Sequence, residues 1–498
     1  MELLTDAHGE RVLCIDHQGA TFSARHVAER LGDVGVWVKE RTRPGDRVVL
    51  ALPNGLEFFL CTMAVVSAGR VAVPVNSEMT KIEIDHVIAT SAATLVISSL
   101  PEAAATGSAS TGSTTSAAEI EPSVSPDDVA AIFFTSGTTG LPKGAELTHR
   151  GLLASVRRAA ALPAGIRNDE VVFALPVAHI MGFSAMLGLL CAGIRVVVRN
   201  RFHPVEVLDV IETQRSSGFI GVPSMYRMME EAGAAQRDLR CVRVWMSGAD
   251  AMPPDLITTF QRYGASATLP LGISIGQALF VEGYGMVELS GGVATKITPP
   301  YAGKLLSRPI AIPTPGNHLR VVNDAGTEVG FGEVGELLVQ GPGVFDGYRG
   351  DPGATKSVRT PNGWLRTGDL AKRGPLGVVE LVGRTKNVIK VGGYSVFPAE
   401  IERVLERHPR IDEAVVVGLA DPTKGQQVAA VIRLAPGSPE PTGVLSSTTL
   451  GEFKAHATEE LTSYKVPVQW RIVSEFPRNG SGKVRRNELA QLFDQPKV

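Results

Sequence analysis

Short runs of β-branched residues alternate with helical patterns through most of this chain. Residues 47–52 and 71–75 are strand-like, residues 56–68 between them have an apolar helical face, and Thr80 to Glu83 matches a capping box that opens another helix. Further strand-like segments are residues 94–97, 171–174, 195–198, 219–221 and 242–246, and a helix follows Pro204. A helix between two strands is typical of a βαβ crossover, so we predict mostly parallel, buried sheets.

Length and composition limit the classes of protein to consider. At 498 residues the chain is too long for one compact core, and we expect about three packing units. Its 44% of apolar and 20% of charged residues are those of an ordinary globular protein. The net charge is -2 and like charges form no block, so a nucleic-acid partner has no support.

The cysteines and the apolar stretches indicate the cellular compartment. Cys14, Cys61, Cys191 and Cys241 are far apart and form no CxxC pair, which is typical of reduced thiols in a cytoplasmic protein. The first residues lack the apolar core of a secretory signal, and no apolar stretch approaches the roughly 20 residues that cross a bilayer. We expect a soluble cytoplasmic protein, with a peripheral membrane contact left open.

Two changes of pattern divide the chain further. Residues 98–126 are rich in Ala, Ser, Thr, Gly and Pro and are predicted to form a flexible surface excursion. Residues 303–382 are β-rich and punctuated by Gly and Pro, which predicts a more antiparallel subdomain. After Arg384 the pattern is α+β over about 110 residues, enough for a separate domain.

A glycine- and hydroxyl-rich loop follows the apolar strand at residues 130–134. It contains Thr135, Ser136, Gly137, Thr138, Thr139, Gly140, Leu141, Pro142, Lys143 and Gly144. Glycines let backbone N–H groups converge, hydroxyls add donors and Lys143 adds a mobile cation, so the loop suits a polyphosphate. It is not a Walker A loop, because Gly144 stands where Ser or Thr would hold Mg²⁺.

This loop and six later segments resemble, in their order, the motifs of the adenylate-forming superfamily, which contains acyl-CoA synthetases, peptide-synthetase adenylation domains and firefly luciferase. The segments are 175–182 (LPVAHIMG), 247–251 (SGADA), 282–288 (EGYGMVE), 364–369 (WLRTGD), 383–402 (GRTKN and the double-glycine segment) and 477–486 (PRNGSGKVRR). The resemblance covers nearly the whole chain and looks closest to bacterial fatty acyl-CoA synthetases.

The resemblance implies both a fold and a reaction. The fold is a large α/β domain, residues 1–383, with two mostly parallel sheets and a small β-rich subdomain, then a hinge at 384–388 and a mobile α+β domain at 389–498. The reaction joins ATP and a carboxylic acid to acyl-AMP, releases pyrophosphate, and transfers the acyl group to CoA. ATP, Mg²⁺ and CoA are the implied cofactors, and a monomer or a homodimer is expected.

The resemblance also implies the acid and nucleotide sites. Beside the carboxylate, His179 acts as a gate, and Gly182, Phe183 and Met186 help to line the acyl pocket. The adenine segments contribute Gly248, Ala249, Asp250, Gly283, Tyr284, Gly285, Met286 and Val287. Tyr284 stacks on adenine, while Glu288 and Thr139 hold Mg²⁺, a cation that prefers oxygen ligands. Val287 departs from the family's Thr, and the segment 265–280 looks longer than usual.

The later motifs imply the ribose, hinge, CoA and catalytic residues. Asp369 and Arg384 bind the ribose, because a carboxylate accepts from two hydroxyls at once. Lys386 is the pivot of the hinge, and Lys483 spans the reacting carboxylate and α-phosphate. The pantetheine tunnel involves the residues Lys390, Gly392, Gly393 and Tyr394.

Several alternatives stay open at this stage. Residues 182–193 offer no carboxylate for an amino group, so an amino-acid substrate is disfavoured. An acyl-AMP ligase that loads an acyl carrier protein uses the same residues, and an aryl or dicarboxylate acid also fits. A non-catalytic nucleotide or acyl-CoA binding relative, or an oxygen-dependent luciferase, is a remoter reading.

Overall fold

The computed structural model describes residues 9–77, 79–99, 124–135, 142–160, 169–268, 274–301, 310–392, 394–437, 446–478 and 483–493. The chain divides into two compact units, residues 1–318 with 339–365 (unit 1) and residues 319–338 with 366–498 (unit 2). Most of the predicted excursion at 98–126, the loop residues Ser136, Gly137, Thr138, Thr139 and Gly140, and Gly393 lie outside the described residues. The predicted hinge at 384–388 lies inside unit 2, and it stays a prediction.

The helices are α1 (Ala24–Lys39), α2 (Leu56–Ser67), α3 (Lys81–Ser91), α4 (His149–Ala160), α5 (Ile180–Cys191), α6 (Pro204–Gln214), α7 (Pro223–Glu231), α8 (Pro254–Tyr263), α9 (Pro352–Val358), α10 (Pro398–Leu405), α11 (Ser447–Glu460) and α12 (Arg486–Gln491). The strands up to residue 250 are β1 (Val12–Ile15), β2 (Thr21–Ser23), β3 (Arg47–Leu50), β4 (Val71–Pro74), β5 (Leu95–Ile97), β6 (Val129–Thr135), β7 (Lys143–Thr148), β8 (Glu170–Phe173), β9 (Arg195–Val198), β10 (Gly218–Gly221) and β11 (Val244–Gly248). The later strands are β12 (Ala267–Thr268), β13 (Ser274–Ile275), β14 (Leu279–Met286), β15 (Gly291–Thr298), β16 (Ile310–Pro313), β17 (His318–Val322), β18 (Val334–Gln340), β19 (Gly347–Tyr348), β20 (Leu365–Arg373), β21 (Val379–Arg384), β22 (Ile389–Val391), β23 (Tyr394–Val396), β24 (Ile411–Asp421), β25 (Gly425–Leu434) and β26 (Gln469–Ile472).

Unit 1 contains two largely parallel arrays of strands. One array has the order β19-β7-β6-β4-β3-β5, and its pairs β6–β4, β4–β3 and β3–β5 are parallel. The other runs β16-β15-β14-β11-β10-β8-β9-β1-β2 and is parallel from β14 to β1. The prediction of mostly parallel sheets is confirmed, and the antiparallel strands lie towards the margins of the arrays.

The capping box predicted at the start of α3 is present. The Thr80 hydroxyl accepts a hydrogen bond from the backbone N–H of Glu83 at 3.3 Å, and the Glu83 carboxylate accepts from the N–H of Thr80 at 2.8 Å. Each contact satisfies a backbone donor that a helix start leaves free. The helix continues to Ser91, close to the end predicted at Thr90.

Unit 2 contains the strands β17, β18, β20 and β21 and a separate α+β sheet. In that sheet β24 and β25 are antiparallel, and β26 adds to β25 in parallel. Residues from α10 and α11, among them Ile401, Leu405 and Phe453, pack on one face, and Leu489 from α12 packs on the other. The α+β pattern predicted after Arg384 is confirmed.

Several features bear on the earlier expectations. All four cysteines are buried and free, and burial raises the pKa of the Cys14 thiol to about 12, as expected for packed thiols.

The unusual segment 265–280 contains a short antiparallel hairpin of β12 and β13. Helix α9 lies within the region 303–382 that was predicted to be β-rich. Within the described part of the chain, every helix is too short or too polar to cross a membrane.

Candidate functional site: an adenylate-binding edge and a charged cluster

The carboxyl ends of four parallel strands lie along one edge of the longer array of unit 1. These neighbouring strands are β8, β10, β11 and β14. Residues 175–182, predicted to bind the acid and called the acid segment below, follow β8. The two predicted adenine segments, residues 247–251 and 282–288, lie at the ends of β11 and β14. Ligands of open α/β sheets bind in crevices at such strand ends. The fold therefore brings together segments that are separated by up to about 100 residues in the chain.

The two adenine segments and the acid segment touch at Gly248. This residue pairs with Gly283 in the register of β11 and β14. A Cβ atom at Gly248 would lie 3.1 Å from the Gly283 carbonyl oxygen and 3.1 Å from the Met181 Cε. A side chain at this position would have to push one of these neighbours aside, so glycine suits the close approach.

The turns after these strands are tightly constrained. A Cβ atom at Gly285 would lie 2.0 Å from the Gly291 carbonyl oxygen, so Gly285 cannot be replaced without a backbone shift. Ala249 has a φ of 69°, in the left-handed region that favours glycine, and such strain gathers at functional sites. Tyr284 is half-buried between these turns, and the exposed Asp250 accepts a hydrogen bond from the N–H of Ala251 at 2.9 Å.

His179 caps helix α5. Its Nδ1 accepts a hydrogen bond from the backbone N–H of Met181 at 3.3 Å, which orients the half-buried ring. A Cβ atom at Gly182 would lie 2.1 Å from the Pro176 carbonyl oxygen, so the first turn of α5 must pack directly on the preceding segment. The predicted gate thus lies on a rigid turn at the strand-end edge.

The other predicted acyl-pocket residues are placed in the core. Phe183 is 1% exposed, and its ring centroid lies 5.6 Å from that of Phe59 and 5.5 Å from that of Phe133. Met186 is fully buried. On a neighbouring face of α5, the Ser184 Oγ would lie 3.0 Å from a Cβ atom at Gly291, beside the strand-end turns. The role of Phe183 and Met186 in an acyl pocket stays a prediction.

Glu288 is held by a tyrosine that the sequence motifs did not indicate. The Tyr348 hydroxyl donates to Glu288 Oε1 at 2.6 Å, and the backbone N–H of Phe345 donates to the Glu288 carbonyl oxygen at 2.9 Å. Burial, followed by the charge of Glu288 and the hydrogen bond to it, raises the pKa of Tyr348, so the phenol stays a neutral donor. The one feature of the sequence that could have indicated Tyr348 is the presence of an aromatic residue among the glycines and aspartates of residues 346–351 (DGYRGD).

The same segment also contacts the lysine of the phosphate loop. Lys143 Nζ lies 3.2 Å from Asp351 Oδ2 and 5.5 Å from the ring centroid of Tyr348. The backbone N–H of Ala354 and the Lys143 side chain lower the pKa of Asp351. Thr135 pairs with Lys143 across β6 and β7, so the two ends of the loop are adjacent. Residues 345–351 therefore bind both Glu288 and Lys143.

The described residues fit the Mg²⁺ that the resemblance implies. Glu288 is 7% exposed, and its Oε1 accepts a hydrogen bond from a neutral hydroxyl group, which brings no opposite charge to the carboxylate. No cluster of three or more His, Cys, Asp and Glu side chains with metal-site geometry occurs among the described residues. Mg²⁺ does not need one, since it is usually bound by one or two carboxylates together with substrate phosphates.

Unit 2 brings together the predicted ribose residues. Asp369 and Arg384 are opposite each other in β20 and β21, and Arg384 Nε lies 2.8 Å from Asp369 Oδ1. Asp369 is 7% exposed, and its N–H donates to the Thr367 hydroxyl at 3.0 Å. The carboxylate is thus fixed in place by the hairpin and by the guanidinium.

Lys386, the predicted pivot, lies near this pair and near Lys483, the predicted catalytic lysine. Partial burial and the nearby cations Arg384 and Lys483 lower the pKa of Lys386, and Asp369 opposes the shift. Three charged residues, Asp369, Arg384 and Lys483, are therefore close enough to Lys386 to affect it, and the four residues come from three separate sequence motifs. Three of the four are cations, which is the composition expected of an anion-binding surface.

Three of the predicted CoA residues, Lys390, Gly392 and Tyr394, are described and lie in or beside the antiparallel strands β22 and β23. Lys390 Nζ donates to the Ser395 hydroxyl at 2.7 Å, and the N–H of Gly392, which has a φ of 56°, donates to the Lys424 carbonyl oxygen at 2.9 Å. Tyr394 is 60% exposed and stacks on Tyr464 with a centroid distance of 4.6 Å. Their binding to CoA stays a prediction.

Comparison with known families and proteins agrees with this geometry. The family model of the AMP-binding enzymes matches residues 4–349, and that of the AMP-binding enzyme C-terminal domain matches residues 400–483. A feruloyl-CoA synthase of Amycolatopsis sp is 31% identical, over 96% of this chain and 95% of its own. The fatty acid–[acyl-carrier-protein] ligase ScoC of Streptomyces coeruleorubidus is 31% identical, over 90% of this chain and 87% of its own.

Solved structures give the same result. The crystal structure of ATP-bound MatB from Rhodopseudomonas palustris has a TM-score of 0.81 at 27% identity, and the match covers 99% of this chain and 98% of that one. An o-succinylbenzoate CoA synthetase (MenE) from Bacillus subtilis, in complex with its acyl-adenylate intermediate, has a TM-score of 0.77 at 26% identity, covering 98% and 96%. The chain therefore belongs to the AMP-binding enzymes of the adenylate-forming superfamily.

Proposed function

We propose that this protein uses ATP to convert a carboxylic acid, of the fatty acid class, to acyl-AMP and pyrophosphate, and then transfers the acyl group to the thiol of CoA. Membership of the family supports an AMP-forming ligase of the kind that acts on CoA or a carrier protein. The observation that carries the proposal is the contact at Gly248, where the acid segment meets one adenine segment and that segment pairs with the other. An acid bound beside His179 would lie next to the nucleotide.

In the first step, residues of unit 1 hold the nucleotide and the acid. Tyr284 stacks on adenine, Lys143 neutralises phosphate charge, and Glu288 together with Thr139 would hold Mg²⁺. The metal would withdraw charge from the phosphates when bound. The acid carboxylate attacks the α-phosphorus, and the bond to the bridging oxygen of pyrophosphate breaks.

Residues of unit 2 serve both steps in this proposal. Asp369 accepts from the ribose hydroxyls, and Lys483 stabilises the negative charge that develops between the carboxylate and the α-phosphate. A rotation about Lys386 then withdraws Lys483 and presents Gly392 and its neighbours to CoA. The thiol loses its proton and attacks the acyl carbon, AMP leaves, and one site serves two reactions.

The choice of a fatty acid follows from helix α5. It is apolar on all sides, and residues 182–193 contain no charged side chain to pair with a second polar group of the acid. Similarity to a fatty acid–[acyl-carrier-protein] ligase supports the same class. That similarity also makes a carrier protein a second candidate acceptor, and similarity to a feruloyl-CoA synthase makes an aryl acid a second candidate substrate.

A substrate panel tests the proposal. Pyrophosphate release is measured with fatty acids of several lengths, ferulate, malonate and amino acids, each with CoA, with an acyl carrier protein, or without acceptor. We expect the largest kcat/KM with a fatty acid and a thioester only with CoA. Faster turnover of ferulate would contradict the proposed substrate class. Acylation of the carrier protein alone would contradict CoA as the acceptor.

The variant Lys483→Ala tests the division between the two steps. We expect it to lose ATP–pyrophosphate exchange by about 100-fold or more, because a cation at the developing charge is removed. It should still transfer the acyl group from preformed acyl-AMP to CoA, measured as thioester. Full exchange activity in Lys483→Ala would show that the catalytic assignment is wrong.

A further inference from the structure

A single amide side chain joins the acid segment to the other array of strands in unit 1. Asn54 lies in the loop between β3 and α2, and it is half-buried. Its Nδ2 donates to the carbonyl oxygens of Asn200 at 3.0 Å and Leu175 at 3.3 Å. Its Oδ1 accepts from the backbone N–H of Val177 at 2.8 Å.

Each of these partners follows the end of a strand. Leu175 and Val177 follow β8, and Asn200 follows β9, whereas Asn54 follows β3 of the other array. One side chain therefore connects the carboxyl ends of three strands in two arrays. Backbone groups in such loops have no sheet partner, so Asn54 satisfies two acceptors and one donor that would otherwise need water.

The chemistry of this position requires asparagine. An amide has two N–H donors and one acceptor oxygen, which is the set of contacts observed. An aspartate would turn a carboxylate oxygen towards two carbonyl oxygens, and an aliphatic residue would leave all three backbone groups unpaired. Next to it, Gly55 has a φ of 144°, which favours glycine, and a Cβ atom there would also lie 2.4 Å from Asn200 Oδ1.

The anchored segment leads directly to the predicted gate. His179 is two residues after Val177, and its N–H donates to the Pro176 carbonyl oxygen at 3.1 Å. The other end of the turn is locked where Gly182 packs on Pro176. Asn54 on one side and Gly182 on the other therefore hold the backbone that leads to His179, whose ring is oriented by the N–H of Met181.

We propose that Asn54 is a positioning residue for the acid substrate, holding residues 175–179 so that His179 faces the carboxylate. The assignment of the acid to this segment rests on the proposed function. The hydrogen bonds from Asn54 hold the segment whatever ligand it binds. The inference predicts a selective effect on the acid and none on ATP.

Kinetics of Asn54→Asp and Asn54→Ala test the proposal. We expect the KM for the acid to rise and kcat/KM for the acid to fall by about 10- to 100-fold, because small misplacements of a positioning element are costly. The KM for ATP should stay at the wild-type value. Asn323→Ala is the matched control, since Asn323 Oδ1 also accepts two backbone N–H groups, of Ala325 at 3.1 Å and Thr327 at 3.0 Å, in a turn of unit 2.

Hydrogen exchange followed by mass spectrometry gives a readout that does not depend on activity. We expect faster exchange in peptides that cover residues 175–183 of both Asn54 variants, because the N–H of Val177 loses its acceptor in Asn54→Ala and its geometry in Asn54→Asp. Asn323→Ala should leave these peptides unchanged. Wild-type exchange at 175–183, or an equal rise of the KM values for acid and ATP, would overturn the proposal.

The two measurements separate this inference from the proposed function. A wild-type protein without acid-dependent pyrophosphate exchange contradicts the function, and hydrogen exchange then decides by itself whether Asn54 holds the segment. A protein that is active and whose Asn54 variants keep the wild-type KM for the acid contradicts the inference alone.

Discussion

Two buried carboxylates, one in each unit, have different partners. Glu288 in unit 1 and Asp369 in unit 2 are both 7% exposed. Glu288 accepts from the neutral hydroxyl of Tyr348 at 2.6 Å, whereas Asp369 lies 2.8 Å from the cationic Nε of Arg384. A carboxylate with a neutral donor keeps its net charge, and one paired with a guanidinium forms a neutral pair.

The difference matches the chemistry proposed for each carboxylate. A divalent cation is attracted by net charge, so the site of Glu288 suits Mg²⁺. A ribose diol is neutral and needs oriented acceptors more than charge, and the Asp369 carboxylate, held in place by Arg384, supplies them. The two carboxylates are thus similarly buried, and the difference between their donors is what suits them to the different functions proposed for them.

The largest effect is expected from Glu288→Gln. This change keeps the shape but removes the net charge, so we expect adenylation to fall by about 100-fold or more and its dependence on Mg²⁺ to weaken. Pyrophosphate exchange at several Mg²⁺ concentrations is the measurement. The control is Glu170→Gln, a buried carboxylate bonded to Ser216 at the opposite, amino end of β8. Equal losses in the two variants would argue against a metal site.

A smaller and different effect is expected from Asp369→Asn. We expect the KM for ATP to rise by about 10- to 100-fold, corresponding to about 1.5–3 kcal/mol for hydrogen bonds to a charged group, without a change in Mg²⁺ dependence. Titration calorimetry with ATP gives the affinity directly. Asp412→Asn removes another Asp–Arg pair of unit 2, with Arg433, and should leave ATP binding unaltered. Altered Mg²⁺ dependence in Asp369→Asn would abolish the distinction between the two carboxylates.

A further reduced effect is expected from Tyr348→Phe. The ring and its contact with Lys143 remain, and only the donor to Glu288 is lost, so we expect about a fivefold fall in kcat, or about 1 kcal/mol. The affinity for MgATP, measured by calorimetry, should fall with it. Tyr263→Phe removes the matched hydroxyl that donates to Glu230 Oε1 at 2.8 Å and should have wild-type activity. Equal activity of both variants would show that Tyr348 does not support Glu288.

The smallest effect concerns stability against acid, where the two units are expected to behave alike. Burial lowers the pKa of His149 in unit 1 and of His408 in unit 2, while Asp128 and Glu452 respectively oppose the shift. A lowered folded-state pKa means that the unfolded chain binds protons first, so stability is full above about pH 6.5 and is lost as the pH falls towards the folded-state pKa. Thermal unfolding between pH 7.5 and 5 should show less acid sensitivity in His149→Gln and in His408→Gln. An unchanged pH dependence of thermal unfolding in either variant would show that the substituted histidine does not contribute to the acid sensitivity.

Much of the fold could be predicted from the sequence because it depends on local patterns. Alternating strands and helices indicated parallel sheets, and the capping box at Thr80 indicated the start of α3. These features involve residues within a few positions of one another, so sequence spacing is sufficient to find them. Helix α1 and helix α9 were not predicted, since neither is marked by a resembling motif and α9 interrupts a region with β-rich composition.

The family could also be predicted, and the comparisons confirm it. Motifs such as residues 282–288 and 364–369 have compositions that few other chemistries require. Their individual roles, together with the hinge at 384–388, stay predictions. The choice of acid and of acceptor depends on the shape of a pocket, which motif composition does not specify.

The sequence by itself determined the class of reaction, because the motifs contain the residue types that bind a nucleotide. Only the tertiary structure decided which groups support them. Tyr348 lies 60 residues from Glu288, and Asn54 lies 121 residues from Leu175, so no local pattern could pair them. Such contacts form where strand ends from different parts of the chain meet at one edge, and that meeting is a property of the folded sheets.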